Sequence, residues 1–294
     1  MTQTKFTGTG VAIITPFRND KSIDFKSLEK LIEYLITKGV NYLVVLGTTG
    51  ESVTLSKDEK HAVVDFVIET VNKRVPVVVG MSGNNTQEVI NIISTFSFEG
   101  IDAILSVAPY YNKPSQEGIY QHFKAIASAS PKPVILYNVP SRTGSNISAE
   151  TTVRLAKNVK NIVAIKEASG NFSQLMQIIQ NKPKDFDVIS GDDAITLPLI
   201  SIGGAGVISV VANAYPAQFS TMVNFALKGD FKKASEIHYR LFEMILALFE
   251  EGNPPGIKAL LKIMNICANS VRLPLMPVSE KLFNKLENLA KAIK

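Results

Sequence analysis

A lysine at the end of an apolar run is the first residue here with chemical promise. Lys166 follows Ile162-Val163-Ala164-Ile165 and precedes Glu167-Ala168-Ser169-Gly170. Burial among apolar neighbours disfavours an ammonium and makes the amine available to attack a carbonyl carbon. The plainer reading is a rim lysine paired with Glu167. Gly47-Thr48-Thr49-Gly50-Glu51 sets two hydroxyls and exposed amides between glycines, which suits a small anion as well as a tight turn. Pro109-Tyr110-Tyr111-Asn112-Lys113-Pro114 and Tyr137-Asn138-Val139-Pro140-Ser141-Arg142 add three phenols and a guanidinium. Phenols can relay protons, and a guanidinium can hold a carboxylate through two hydrogen bonds. Ser190-Gly191-Asp192-Asp193 and Ile208-Ser209 complete the set.

Each of these segments ends a short apolar run. The runs are 11–14, 42–46, 76–79, 103–107, 134–137, 162–165, 187–190 and 206–210. Runs that are apolar throughout suit strands buried on both faces of a parallel sheet. Helical patterns fill the gaps. Leu28, Leu31, Ile32 and Leu35 share a helix face, Gly39 reads as its stop, and Gly100 reads as the stop of the third helix. Ser56-Lys57-Asp58-Glu59 is a capping box, and Thr86, Ser115 and Ser148 read as later N-caps. Eight such units predict an α/β protein, a (β/α)8 TIM barrel with catalytic residues at the C-terminal strand ends. A doubly wound open sheet is the rival. The barrel is expected over residues 1–223. Residues 224–294 read as a C-terminal helical segment packed on it, with breaks at Gly252–Gly256 and Leu273-Pro274 and no active site of its own.

Composition removes other classes. The 294 residues are 46% apolar and 19% charged, ample for a core, and the net charge of +5 is scattered rather than clustered. That favours small anionic ligands and argues against nucleic acid. Residues 194–227 carry no charge, but prolines and glycines interrupt them, so they read as buried helix, glycine turn, strand and loop rather than a membrane span. One cysteine, Cys267, and an N-terminus without an apolar signal core point to the cytoplasm. His61, His122 and His238 lack metal spacing, and no P-loop, GxGxxG or GxSxG motif is present. Neither a metal nor an organic cofactor is expected. Gly203-Gly204-Ala205-Gly206 precedes the eighth run and reads as a helix stop at the opposite barrel end.

In order and in combination, these motifs resemble the dihydrodipicolinate synthases, also named 4-hydroxy-tetrahydrodipicolinate synthases, within the pyruvate-dependent class I aldolase and N-acetylneuraminate lyase family. The resemblance runs from about Gly8 to Pro277, with local departures at Gly80-Met81-Ser82-Gly83 and Gly256. It implies a lyase of lysine and diaminopimelate biosynthesis that condenses pyruvate with L-aspartate 4-semialdehyde through a Schiff base on Lys166. It further implies that Tyr137, Thr49 and Tyr111 relay protons, with Tyr111 entering from a neighbouring subunit. Thr48, Thr49 and the adjacent amides would hold the pyruvate carboxylate and Arg142 the semialdehyde carboxylate, while Gly191 and Ile208 line the site through backbone groups. A homotetramer built from tight dimers is implied as well. So is a regulatory lysine pocket at Ser52, Val53, Lys57, Lys60, Asn84, Glu88 and Tyr110. A sister reaction on the same scaffold, N-acetylneuraminate or 2-keto-3-deoxy-sugar-acid cleavage, is the alternative. A non-catalytic sensor of oxo acids is a third reading.

Overall fold

The structure, a computed structural model, describes residues 6–293. Eight parallel strands close into a barrel in chain order. They are β1 Gly8–Ala12, β2 Tyr42–Val45, β3 Val77–Gly80, β4 Ala103–Val107, β5 Val134–Asn138, β6 Ile162–Glu167, β7 Asp187–Ser190 and β8 Gly206–Ser209. Pairing of β1 with β8 seals the ring. One main helix follows each strand in turn: Phe25–Thr37, Lys57–Val71, Thr86–Thr95, Gln116–Ala129, Ala149–Asn158, Phe172–Asn181, Thr196–Ser201 and Pro216–Leu227. This is the expected (β/α)8 barrel, which gathers all eight C-terminal strand ends on one face.

Side-chain alternation explains why the strands are apolar throughout. Val44, Val78, Leu105, Ile135, Ala164 and Ile189 fill the barrel interior. Their neighbours, such as Leu43, Val79, Ile104 and Ile165, pack outward against the helices. Strand β1 begins three residues before the predicted run, because glycines hide it from a hydrophobic pattern. A Cβ on Gly10 would lie 2.2 Å from the fully buried ring of Tyr42, so only glycine leaves that ring its place inside the barrel. Strand β6 runs two residues further than its apolar pattern, and Lys166 and Glu167 are part of it.

The helix Phe25–Thr37 buries Leu28, Leu31, Ile32 and Leu35, and Gly39 follows with φ +83°. The capping box forms between Ser56 and Glu59, and Ser115 and Ser148 are N-caps. Thr86 is instead the first helical residue. Asn85 caps that helix, because its side chain accepts from the amides of Gln87 and Glu88. The helix stops at Thr95, so Gly100 turns the chain towards β4 rather than ending the helix. Within the uncharged stretch, the segment expected as a loop after β8 contains the helix Pro216–Leu227. This helix crosses the expected 223/224 boundary and packs on β1 and β8. The later helices are Phe231–Ala247, Pro255–Ile263 and Glu280–Ala292. Among the described residues, no helix is long and apolar enough to cross a membrane.

Candidate active site

Tyr137 and Lys166 are register partners across β5 and β6. Both point into the barrel mouth, and Lys166 Nζ lies 4.3 Å from the centre of the Tyr137 ring. Strand alternation puts Lys166 in line with Ala164 and turns Glu167 outward with Ile165. Glu167 accepts there from Asn138 Nδ2 at 3.1 Å, from Gln174 Nε2 at 2.8 Å and from the Ser169 amide at 2.8 Å. A rim pair between Lys166 and Glu167 is therefore not what forms: two adjacent strand residues cannot share a face. Gly191 makes room beside the lysine. A Cβ there would sit 3.1 Å from Lys166 Cε and 2.8 Å from Ala168 Cβ.

The hydroxyl loop follows β2. Thr48–Gly50 form one 3-10 turn, fixed from below by Thr15 Oγ1 donating to the Gly50 carbonyl at 2.7 Å. Thr49 is buried, and its Oγ1 accepts from Asn253 Nδ2 at 2.9 Å. Arg142 stands exposed on the short helix Pro140–Thr143 and donates to the Asn253 carbonyl at 3.3 Å. Together Thr48, Thr49, Tyr137, Arg142, Lys166 and Gly191 line a cavity of about 320 Å³. Val139, Val210, Leu246 and Phe249 share the lining with these groups and Asp192, and an apolar wall beside an amine, a guanidinium and hydroxyls suits a small oxo acid.

The side chains of two expected residues are not part of this lining. Ile208 is buried inside the barrel, and its neighbour Val210 supplies the cavity wall. Tyr111 is 88% exposed with φ +73°, outside the cavity of its own chain. The C-terminal segment contributes more than its sequence suggested. Asn253, Leu246 and Phe249 close one side of the cavity. The turn Asn253-Pro254-Pro255 reads in sequence only as a helix break, and a polar residue there amid apolar helices was the available signal. Asp193, also unassigned, accepts from the amides of Val210 and Val211 at 3.0 and 2.7 Å. Burial pushes its carboxyl up to about 6. Among the described residues, no group of three or more His, Cys, Asp or Glu side chains could hold a metal ion.

The sequence model of the dihydrodipicolinate synthetase family matches residues 5–293. The chain belongs to that family. A 4-hydroxy-tetrahydrodipicolinate synthase of Phocaeicola vulgatus is 52% identical, covering 100% of this chain and 99% of the relative. The solved dihydrodipicolinate synthase of Thermotoga maritima superposes with a TM-score of 0.96 at 42% identity, covering 98% of each chain. Another solved relative, described as a monomeric dihydrodipicolinate synthase variant, superposes with a TM-score of 0.96 at 41% identity, covering 98% of this chain and 97% of its own.

This family member has a second cavity, of about 380 Å³, beside the first. Ser52, Val53, Lys60, Asn84, Glu88 and Tyr110 line it, so six of the seven expected regulatory positions meet. Lys57 does not join them. It starts the helix Lys57–Val71 and is exposed. Asn84 Nδ2 donates to the Tyr110 carbonyl at 3.3 Å and ties the two sides of the pocket together. Thr48 and Tyr137 belong to the walls of both cavities.

Proposed function

We propose that this chain is a 4-hydroxy-tetrahydrodipicolinate synthase. It condenses pyruvate with L-aspartate 4-semialdehyde in lysine and diaminopimelate biosynthesis. The observation that carries the reading is the amine of Lys166, buried in a cavity, opposite a phenol and free of its neighbouring carboxylate. The amine attacks the keto carbon of pyruvate, and loss of water gives an iminium. A methyl proton then leaves to form an enamine. The enamine carbon bonds to the aldehyde carbon. The amino group of the second substrate next attacks the imine carbon, which closes the ring and releases Lys166.

The chain's own groups have defined parts in this scheme. Thr48, Thr49 and the amides of their turn bind the pyruvate carboxylate. Tyr137 and Thr49 move protons to and from the departing water and the forming alcohol. Arg142, at the mouth, binds the semialdehyde carboxylate. Tyr111 completes the relay from a neighbouring subunit of a homotetramer of tight dimers, a reading supported by its exposure and left-handed backbone. We assign the second cavity to free lysine, with Glu88 facing its ammonium groups, and the enzyme to the cytoplasm.

Borohydride reduction in the presence of pyruvate tests the central step. A reduced adduct should map to Lys166 and vanish in Lys166→Ala. Turnover should follow with the semialdehyde and be absent with sialic and sugar acids. An adduct on another lysine overturns the mechanism.

A further inference from the structure

The hydroxyl loop ends in a residue to which the reaction scheme gives no part. Glu51 has a left-handed backbone, φ +52°, which side chains other than glycine adopt at a cost. Its side chain is buried, with two partners from the far end of the sequence. Lys258 Nζ donates to Oε1, and the Arg272 amide donates to Oε2 at 3.1 Å. Lys258 is fully buried, donates also to the Ser270 carbonyl at 2.9 Å, and lies 4.1 Å from the centre of the Phe17 ring. The Arg272 guanidinium lies 4.5 Å from the same ring. It also pairs with both oxygens of Glu59 and donates to the Thr54 carbonyl at 2.9 Å.

A buried ion pair seldom adds stability over well-packed apolar side chains, because both ions lose their hydration. What it can supply is geometry. This pair joins residues 207 positions apart, and the joined residue directly follows the Thr48–Gly50 turn. Thr15 holds the underside of that turn, and Glu51 holds its exit. Without the side-chain anchor, backbone bonds with Thr48 and Thr54 and the Asn253 contact to Thr49 are left to oppose the backbone cost of the left-handed residue, and the turn can relax.

We propose that Lys258 and Arg272 are positioning residues for the first substrate. Acting through Glu51, they hold the Thr48 and Thr49 amides and hydroxyls in the orientation that receives the carboxylate of a small 2-oxo acid. The inference rests on the pyruvate-binding role proposed above for those threonines. The helical C-terminal segment thus sets the affinity of a loop that follows β2.

The test is the double variant Glu51→Gln/Lys258→Met, which removes both charges together and leaves no unpaired buried ion. Its melting temperature, the pyruvate dependence of borohydride trapping and the steady-state constants are compared with the parent. The expected result is a folded protein whose half-saturating pyruvate rises about five- to fifty-fold, with Lys166 still fully modified at saturating pyruvate. A purely structural role would lower the melting temperature and leave that concentration alone. Glu51→Gln by itself, which keeps the shape and one acceptor, should show a smaller rise and serves if the double variant does not fold. A folded variant with unchanged half-saturation overturns the inference while leaving the pyruvate reading intact. A parent enzyme that pyruvate and borohydride never modify overturns both.

Discussion

Asn253 donates its side-chain amide to the hydroxyl of Thr49 at 2.9 Å, across 204 residues of chain. With its oxygen accepting there, Thr49 keeps its own proton for another partner, which is what a relay needs. Asn253→Asp replaces the donor with an acceptor and turns that proton away. We expect kcat to fall about 10- to 100-fold while pyruvate trapping at Lys166 persists. An unchanged kcat would show that this hydrogen bond does not orient the Thr49 proton for the relay.

Tyr137→Phe separates the ring from the hydroxyl. The ring against Lys166 Nζ stays, so the fold should melt within a few degrees of the parent. Turnover should fall by roughly 100-fold or more, the usual loss when a proton-transfer group is removed. Steady-state kinetics and a thermal melt on the same preparation decide the point.

Arg142 is exposed, so its removal should leave stability unchanged. Loss of a charge-assisted carboxylate contact should lower kcat/KM for the semialdehyde about 10- to 100-fold. Single-turnover imine formation with pyruvate should stay within about two-fold, since the proposed function gives its carboxylate to the threonine loop. Equal losses in both steps would contradict the assigned role.

The second cavity predicts inhibition by free lysine. Glu88 is its carboxylate, and Asn84, Tyr110 and Lys60 are its polar partners. Initial rates at fixed pyruvate should fall at millimolar lysine. In Glu88→Ala the half-inhibitory concentration should rise about ten-fold or more. Full activity of the parent at those concentrations refutes the assignment.

His122 makes stability depend on pH. Its Nδ1 pairs with Thr86 Oγ1 at 2.8 Å, and burial pushes the imidazole down to about 4. The folded state thus favours neutral imidazole, and the unfolded chain takes up the proton first as pH falls. The stability is fully present above about pH 6.5 and drains away towards pH 4, by roughly 3 kcal/mol from this group. Urea unfolding at pH 7.5 and 4.5 should show that loss in the parent, and His122→Gln should reduce it.

The barrel is legible in sequence because every strand is buried on two faces and so needs no alternation, and because glycine stops and serine caps punctuate the helices. Strand β1 is the exception, since the glycines that seat Tyr42 carry no hydrophobic signal. At the site, Lys166, Tyr137 and the threonine loop are legible as polar residues closing apolar runs. Asn253, Glu51 and Lys258 are not. Their meaning lies in contacts spanning more than 200 residues. A linear pattern sees only a helix break, the end of a glycine turn and one lysine among many.

The pairing of Tyr137 with Lys166 on neighbouring strands has an evolutionary reach. Their separation is written into the backbone ladder of β5 and β6, so no loop has to be held still to keep phenol and amine together. Arg142, by contrast, sits on a four-residue helix beyond the strand end, free of that ladder. On the function proposed above, carbon–nitrogen chemistry and the choice of aldehyde are thereby inherited on separate parts. A descendant could exchange the short helix, acquire a different electrophile and leave the imine-forming pair untouched.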